Sequence, residues 1–422
     1  MKKLFFLIAI MLSTLSQVNA QLPDFMKRLD GGSIEKTEFY EKIPFKLNNN
    51  RIYIEALINN RNFRFLIDTH SPCLLYNYVV DEASLDTINK SSLLGKSFEK
   101  SFLLPIFPKI DSFSIGNVIF KDIGAMQMKN DSSNPLNDYP LDGILGSNLM
   151  KQCIWQFNFI DSTLSITNDI SKCEYINDSF QLKFSPKQVQ GSPNIIATIN
   201  NIDTLNVQFD TGNSGFVNGL SPIIEKKIKN GKAVKWTMKL NIPIGKKKSD
   251  SIESHYYVRI DSLKLGESDF YNLPIVAYNP NYKQTMGKGS IGIDFLKHFV
   301  TTIDWIENKI YLYPFENKNF FLHNKKTFGF TYKYSNNKFL VNSIFQGSEA
   351  EKSGLEIGDE IISINGIDLT QLTKESIKNF NEGKLKFSDD LNSDITIKLL
   401  KKGRVKKFKL KNYSLFQENN LE

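Results

Sequence analysis

Alternating apolar and polar positions divide the chain after residue 45 into short strands separated by turn residues. Arg51–Ile58 and Phe63–Ile67 alternate on either side of an Asn-rich turn, and the second run stops at Asp68. The same pattern returns at 193–209 and stops at Asp210. Alternation with a period of two, bounded by Asn, Asp and Gly, is typical of β-hairpins. The pattern therefore predicts two hairpins that each end in a carboxylate.

Further blocks of the first half of the chain are repeated in the second half. Asp68 and Asp210 are 142 residues apart, and the other blocks recur at offsets of 150, 146 and 146 residues. The paired blocks are 113–120 with 263–270, 142–149 with 289–295, and 157–166 with 303–312. Matched blocks in the same order at a nearly constant offset indicate a duplicated unit. We therefore predict two homologous β-rich lobes, at 42–170 and 180–316, related by a pseudo-two-fold axis.

Such an axis would bring Asp68 and Asp210 together at the lobe interface, at strand ends where loops usually carry chemistry. Two carboxylates in contact cannot both ionise, so their pKa values are forced apart. One can then activate a water as general base while the other protonates or polarises a carbonyl group. The pair is a candidate site for general acid–base catalysis. Taken singly, each aspartate would be an ordinary turn residue after a strand.

These motifs resemble the aspartic protease superfamily over residues 40–316, and the short lobes are closer to its retropepsin-like branch than to full pepsins. The resemblance is carried by Asp-Thr motifs at 68–69 and 210–212 and by apolar-apolar-Gly motifs at 144–146 and 290–292. It implies an aspartic endopeptidase with a catalytic Asp68/Asp210 dyad and a peptide or protein substrate. It also implies supporting residues around the dyad: Thr69 and Thr211 through hydroxyl hydrogen bonds between the loops, Ser71 and Asn213 through side chains that reach the outer carboxylate oxygens, and His70 and Gly212. Substrate would lie extended under flap hairpins, with candidate tips at 93–96 and 244–246, although plain surface hairpins are an equal alternative.

His70 departs from the family pattern, which has Gly at this position. A side chain here can strain the turn, because positive φ is costly for a residue other than Gly. It can also place an ionisable imidazole beside the carboxylates. Two interpretations follow: an active protease with a shifted pH profile, or a catalytically inactive protein that only binds peptides.

The pattern changes after Pro314. The run from Ser348 to Gly366 reads S-x-A-x-x-x-G-L-x-x-G-D-x-I-x-x-I-N-G and resembles a PDZ domain, which would cover 322–412 as a small α+β unit. The sequence predicts a short helix over 348–353 that ends at Gly354, a tight turn at Asn365-Gly366, a second helix within 370–390 and a closing hairpin. The resemblance implies that Phe328, Gly329 and Phe330 form the loop that receives the C-terminal carboxylate of a peptide. The alternative is an ordinary strand start whose groove is unused or occupied by another part of the chain.

Residues 1–20 are expected to be a signal peptide, because Lys2 and Lys3 precede a short apolar run and Ala20 is a small residue suited to cleavage. No other stretch is apolar enough to span a bilayer, so the mature chain is expected to lack an integral membrane segment and to be periplasmic or extracellular. Residues 21–41 are polar and mixed, which predicts a poorly ordered lead-in.

Composition narrows the remaining classes. The net charge of +8 is spread over short Lys runs, which are typical of solvated turns, and no basic–aromatic module indicates nucleic-acid binding. No Cys/His cluster has metal-ligand spacing, so neither a metal nor another cofactor is expected. Export permits disulfides. The sequence leaves two alternatives open for Cys153 and Cys173, a bridge across a hairpin or free thiols, with Cys73 as a buried thiol.

Overall fold

The computed structural model describes residues 23–90, 103–131, 134, 136–137, 139–186, 190–239, 252–278, 289–315, 326–335, 337–381, 394–401 and 403–414. The predicted signal peptide and both candidate flap tips, at 93–96 and 244–246, lie outside those residues. The described chain is mainly β, as the alternation predicts.

The strands up to Pro314 are, in chain order, β1 Ser33–Ile34, β2 Tyr40–Pro44, β3 Lys46–Asn48, β4 Arg51–Ile58, β5 Arg61–Asp68, β6 Leu74–Tyr76, β7 Asp86–Asn89, β8 Leu103–Leu104, β9 Ile106–Ile115, β10 Val118–Gly124, β11 Met126–Met128, β12 Gly143–Gly146, β13 Ile154–Asn158, β14 Thr163–Thr167, β15 Phe180–Lys183, β16 Ser185–Pro186, β17 Pro193–Ile199, β18 Asp203–Phe209, β19 Val217–Asn218, β20 Val234–Lys239, β21 Ile252–Leu265, β22 Ser268–Tyr278, β23 Gly289–Ile291, β24 Phe299–Asp304 and β25 Lys309–Pro314. The later strands are β26 Lys326–Thr327, β27 Phe330–Ser335, β28 Lys338–Phe345, β29 Glu360–Ile364, β30 Ile367–Asp368, β31 Ile395–Lys401, β32 Arg404–Leu410 and β33 Tyr413–Ser414.

The helices are short. They are α1 Asp24–Asp30, α2 Asn77–Glu82, α3 Ser147–Met150, α4 Pro222–Lys229, α5 Ile293–Leu296, α6 Glu349–Lys352 and α7 Lys374–Asn381, with 3-10 turns at Ile170–Lys172 and Leu369–Gln371.

The first sheet carries Asp68 at the end of β5. The predicted hairpin forms, because β5 pairs antiparallel with β4, and the turn residues Asn59 and Asn60 adopt positive φ. On its other side β5 pairs in parallel with β12, which in turn pairs with β6. The burial of β5 alternates less strictly than that of β4, with Phe65, Leu66 and Ile67 all buried. A strand that has neighbours on both sides and is covered on both faces therefore leads to Asp68.

The second sheet leads to Asp210 through the same sequence of pairings. The hairpin of β17 and β18 forms as predicted, with Asn200 and Asn201 at positive φ. Strand β18 pairs in parallel with β23, and β23 pairs antiparallel with β19. Beyond β19 the order continues through β22 and β21 to β20.

A six-stranded sheet contains strands from both of the predicted lobes. Its order is β15-β25-β24-β13-β14-β2, so the matched blocks at 157–166 and 303–312 lie in one sheet. The central pair, β13 and β24, is antiparallel, with Ile154 opposite Asp304 and Phe157 opposite Thr301. Between these strands the Gln156 side chain donates to the Thr302 hydroxyl at 2.7 Å.

The prediction that the lead-in at 21–41 is poorly ordered is wrong for residues 23–41, which are built into the fold. Phe25 of α1 packs against Phe107 with ring centroids 4.8 Å apart, and Leu29 is buried. Strand β1 pairs with β10, and β2 extends the six-stranded sheet along β14. A few apolar side chains and backbone pairing order a segment whose average composition is polar.

The C-terminal part has its own core. Strands β27, β28, β29, β31 and β32 enclose buried Phe328, Phe330, Phe339 and Ile361 among others. The predicted first helix is α6, where the Ser348 hydroxyl accepts from the Glu351 N–H at 3.1 Å. The predicted tight turn has φ of 49° at Asn365 and 86° at Gly366. Helix α7 lies within the predicted second helical segment, and β31 with β32 is the predicted closing hairpin.

Among the described residues, helices are too short or too polar to cross a membrane.

Candidate active site

Asp68 and Asp210 meet where their two strands end. Their carboxyl groups share a side-chain hydrogen bond. Each strand end is held by a neighbouring parallel strand: Gly146 of β12 lies in register with Asp68, and the Asp210 N–H donates to the Ile291 carbonyl at 3.0 Å. Both aspartates are half-buried. The structure thus brings together two residues that are 142 positions apart, as the repeat predicts.

Backbone N–H groups hold each carboxylate from the turn that follows it. The His70 N–H donates to Asp68 Oδ1 at 2.8 Å. The Gly212 and Asn213 N–H groups donate to Asp210 Oδ1 at 3.0 and 3.1 Å. Such bonds orient the carboxylates without any contribution from the side chains of the turn.

The two turns are cross-linked by a reciprocal pair of threonines. The Thr69 N–H donates to Thr211 Oγ1 and the Thr211 N–H donates to Thr69 Oγ1, both at 3.0 Å. The Thr69 hydroxyl donates to the Phe209 carbonyl at 2.5 Å, and the Thr211 hydroxyl donates to the Ile67 carbonyl at 3.1 Å. Both side chains are buried. These four bonds join the two strand ends as the resemblance implies.

Two glycines let the apolar-apolar-Gly motifs pass close to the turns. A Cβ at Gly146 would lie 2.1 Å from the Pro72 carbonyl carbon and 2.4 Å from the Cys73 nitrogen. A Cβ at Gly292 would lie 2.3 Å from the Gly215 carbonyl oxygen. Only glycine fits such close backbone contacts. The motifs therefore support the dyad by backbone packing.

Burial dominates the electrostatics of the pair. Burial raises the pKa of Asp68, and the hydrogen bonds from the His70 and Ser71 backbone and from Asp210 offset part of that rise. Burial also raises the pKa of Asp210 well above its usual range, and the negative charge of Asp68 raises it further. Both pKa values are therefore raised, and the two carboxyls hold one shared proton as a pair.

Gly212 and His70 occupy corresponding positions in the two turns but differ in what they allow. A Cβ at Gly212 would lie 2.3 Å from both Cγ and Oδ2 of Asp68. The site therefore has no room for a side chain at 212. His70 is half-buried. Its φ is not positive, so a His in place of Gly does not strain the backbone of this turn.

Replacing Gly212 with alanine is expected to push the Asp68 carboxyl away from Asp210. We expect the free energy of unfolding to fall by about 1–3 kcal/mol, the usual cost of overpacking, as measured by thermal unfolding. Gly215→Ala is the matched control in the same loop, because the nearest atom to its Cβ is Asn213 Oδ1 at 3.1 Å. Equal loss of stability in both variants would contradict the crowding argument.

The prediction that the Ser71 and Asn213 side chains reach the outer carboxylate oxygens is wrong. The Ser71 hydroxyl donates to the Pro72 carbonyl at 2.9 Å. The Asn213 amide donates to Ser290 Oγ at 2.7 Å, and its Oδ1 accepts from the Gly215 N–H at 2.8 Å. Local backbone partners and a buried hydroxyl satisfy these side chains. The two residues support the dyad through their backbone N–H groups instead.

Two buried asparagines outside the predicted set also hold the turns. Asn148 accepts from the Cys73 N–H at 2.8 Å and donates to the Leu29 and Gly124 carbonyls, at 3.1 and 2.8 Å. Asn218 donates to Ser290 Oγ at 2.9 Å and accepts from the Ser290 N–H at 2.9 Å. A polar amide inside an otherwise apolar run, as at Asn148 in S-N-L-M and at Asn218 in F-V-N-G, was the available sequence signal.

Cys153 and Cys173 are free, which corrects the alternative of a disulfide. The 3-10 turn at 170–172 carries the chain past Cys153 to Gln156, whose side chain accepts from the Glu174 N–H at 3.0 Å and donates to the Glu174 carbonyl at 2.8 Å. Burial raises the pKa of the Cys153 thiol well above its usual range. Burial raises the pKa of Cys173 to about 12, and a neutral thiol is a poor nucleophile for disulfide exchange. Cys73 is a buried thiol, as expected.

The predicted carboxylate loop of the C-terminal part precedes β27. Gly329 has φ of 85°, and its N–H donates to the Thr327 hydroxyl at 3.0 Å. The Gly329 carbonyl accepts from the Phe345 N–H at 2.9 Å. Phe328 and Phe330 are buried. In the described residues, β27 pairs along one side only, with β28. The loop thus begins a strand with an open edge, and the two phenylalanines serve the core.

Within the described residues, His, Cys, Asp and Glu form no group of three or more that could hold a metal ion.

Comparisons with known proteins identify a domain in the C-terminal part of the chain and give less information on the part before it. No curated protein matches the chain. A crystal structure of a retropepsin-like aspartic protease from Rickettsia conorii is similar over 31% of this chain and 93% of that chain, at 16% identity and a TM-score of 0.23. At that TM-score the likeness carries no argument about function. Residues 320–388 match the family model of the PDZ domain, which confirms that the C-terminal part of this chain contains a PDZ domain.

Proposed function

We propose that this chain is an aspartic endopeptidase in which Asp68 and Asp210 hydrolyse peptide bonds and a PDZ domain docks substrate or partner termini. The observation that carries the proposal is the hydrogen bond between the two carboxyls. Two aspartates in separate turns would not share a proton. Holding their carboxyls together raises their pKa values, and this lowers the stability of the fold at neutral pH. Carboxyls with such strongly perturbed pKa values cluster at active sites.

The pair shares one proton, so one carboxyl is ionised and the other is protonated. A water bound between them would lose its proton to the ionised carboxyl while the protonated carboxyl donates to the carbonyl oxygen of the scissile bond. The Thr69 and Thr211 cross-link keeps the two groups at a fixed separation during this exchange.

Two lobes related by a pseudo-two-fold axis are part of the proposal. The support is that β5 and β18 each have an antiparallel hairpin partner and a parallel neighbour, and that each leads into Asp-Thr. The parallel neighbour of β5 ends at Gly146, and that of β18 is followed by Gly292. Export by a signal peptide, with a periplasmic or extracellular location, also belongs to the proposal and rests on residues 1–20.

Peptide docking at the PDZ domain is supported by the open edge of β27. In the register of β27 with β28, the N–H of Thr331 faces β28. The N–H of the preceding residue, Phe330, therefore faces the open edge of β27. A peptide could add there as a further strand, with its carboxylate at the loop formed by Phe328, Gly329 and Phe330.

A catalytically inactive peptide-binding protein is the second candidate, and His70 is the observation that favours it. Its counterpart in the other turn, Gly212, leaves no room for a side chain. An imidazole in the equivalent position can occupy space that substrate or water would need.

Digestion of a diverse peptide library by the purified chain tests the proposal. We expect products by mass spectrometry at acidic to mildly acidic pH, because one carboxyl must stay protonated, and loss of products with a statine-type inhibitor of the dyad. Absence of products at every pH from 3 to 8 would favour the peptide-binding candidate. His70→Gly then decides between the two, since a gain of cleavage would identify the natural site as a degraded one.

A further inference from the structure

The PDZ domain continues the sheet that carries Asp210. From Asp210 outwards, the strand order is β18-β23-β19-β22-β21-β20-β28, and β28 belongs to the PDZ domain. Strands β20 and β28 are antiparallel, with Trp236 opposite Phe345, Thr237 opposite Ile344 and Met238 opposite Ser343. The Gln346 N–H donates to the Lys235 carbonyl at 2.8 Å. Backbone pairing, rather than side-chain contact alone, thus joins the two units.

An aromatic cluster covers this junction. The Trp236 ring stacks on His255, Tyr257 and Phe345 at centroid distances of 4.8, 5.8 and 5.9 Å. Phe345 comes from the PDZ domain, and the other three come from the β20–β21 hairpin. Burial lowers the pKa of His255 to about 4, so the cluster is uncharged at neutral pH.

The same strand of the PDZ domain contacts the carboxylate loop on its other edge. The Phe345 N–H donates to the Gly329 carbonyl, and Phe330 lies opposite Ile344. Residues 343–345 therefore lie between the loop on one side and β20 on the other. A displacement of the loop must change the position of Phe345 or break its hydrogen bond.

We propose that binding of a peptide carboxylate at Gly329 is transmitted through β28 to β20, so that occupancy of the PDZ domain biases the sheet that carries Asp210. The inference rests on the proposed peptide-binding role of the PDZ domain. The structural element that connects the PDZ loop with the sheet of Asp210 is the paired edge of β20 and β28, where Trp236 stacks on Phe345. By linkage, such a coupling acts equally in both directions.

Trp236 is a reporter placed at this junction. The chain has three tryptophans, and the other two are buried elsewhere, with Nε1–H groups that donate to the Met150 and Gly191 carbonyls at 2.9 and 2.8 Å. A peptide added to β27 would be three strand spacings from β20, roughly 14 Å. A response of Trp236 is therefore indirect.

The test is fluorine NMR of the full chain labelled with 5-fluorotryptophan. The probe is a pool of acetylated tetrapeptides with free C-terminal carboxylates, and the matched control is the same pool with C-terminal amides. We expect the free-acid pool to shift the Trp236 resonance saturably and to leave the Trp155 and Trp305 resonances in place, while the amide pool has no effect. An unchanged Trp236 resonance, or an equal response to both pools, overturns the proposal.

Two glycine variants locate the origin of the response. In Gly329→Ala the new Cβ would lie 2.4 Å from Ser348 Cβ, at a φ of 85°, so the Trp236 response should be lost. Gly366→Ala imposes the same backbone strain, at a φ of 86°, but has no atom within 4 Å, so the response should remain. A response that persists in Gly329→Ala, or disappears in both variants, overturns transmission through the loop.

The outcome is separable from that of the proposed function. No cleavage is needed for the readout, so an inactive dyad leaves the test intact. Calorimetric titration with the free-acid pool measures binding directly. Heat of binding without a Trp236 shift contradicts the coupling alone, whereas the absence of heat contradicts peptide docking and the coupling together.

Discussion

Replacing Asp210 with asparagine is expected to lower peptide cleavage by about 10²–10⁴-fold, the usual contribution of a general acid or base, while making the protein more stable at neutral pH. The loss of activity follows because the amide cannot deliver the shared proton. The gain in stability follows because the variant no longer has to ionise or protonate a buried group. Cleavage is measured on the peptide products, and stability is measured by thermal unfolding at several pH values.

The direction of the pH effect follows from the raised pKa of the pair. Below the ordinary carboxyl pKa, the folded and unfolded chains are both protonated, and the wild type loses nothing. As pH rises through that value, the unfolded chain releases the proton while the folded dyad still holds it, so stability is lost up to the raised pKa. Each tenfold difference in proton affinity costs about 1.4 kcal/mol. The stabilisation by Asp210→Asn should therefore be absent at pH 3 and present at pH 7.

Asp304→Asn is the matched control for this experiment. Asp304 also ends a strand, and its Oδ1 accepts from the Ile306 and Glu307 N–H groups at 2.9 and 3.0 Å, as Asp210 does from the residues two and three positions on. Burial raises the pKa of Asp304 too, and the bonds from the Glu307 and Ile306 backbone offset part of that rise, while the negative charge of Glu307 adds to it. Cleavage should be unchanged in this variant. Cleavage lost equally in both variants, or retained in Asp210→Asn, would contradict the assignment of the dyad.

Local patterns were enough to predict the parts of the site that depend on neighbouring residues. Alternation located β4, β5, β17 and β18, because the two hairpins that they form alternate in burial over at least part of each strand and turn at Asn residues. The constant offset of the repeat then paired Asp68 with Asp210 without any knowledge of distances. Thr69 and Thr211 followed from the resemblance, and the structure gives them reciprocal bonds.

The errors concern the choice among several partners that a polar side chain or a segment could contact, some adjacent in sequence and some distant. The hydroxyl of Ser71 and the amide of Asn213 could each satisfy several partners, and only the fold shows that Pro72 and Ser290 are the nearer ones. The lead-in looked disordered because its composition is polar, yet a single amide, that of Asn148, ties it to the turn after Asp68. Pairing of β20 with β28 leaves no mark on the periodicity of either strand.

Replacing Thr211 with valine is expected to destabilise the protein by about 2–4 kcal/mol. Valine keeps the shape of the side chain but leaves the buried Thr69 N–H without its acceptor, and an unsatisfied buried group costs about 1–3 kcal/mol. It also removes one hydrogen-bond donor from the Ile67 carbonyl, and that hydrogen bond contributes about 0.5–1.5 kcal/mol. The unfolding midpoint should fall by about 2–4 °C per kcal/mol, the scale for domains of 150–250 residues. Cleavage should fall as well, because the cross-link that fixes the separation of Asp68 and Asp210 is halved.

Thr301→Val separates this effect from the general cost of changing a buried threonine. Thr301 is as buried as Thr211, but its hydroxyl has no hydrogen-bond partner in the part of the chain that the structure describes. Loss of that hydroxyl removes an unsatisfied polar group, so stability should stay within about 0.5 kcal/mol of the wild type or rise. Cleavage should be unaffected, because β24 pairs with β13 and β25 and not with either strand that leads to the dyad. If the two valine variants lost stability equally, the reciprocal bonds between the turns would not be what holds the two aspartates together.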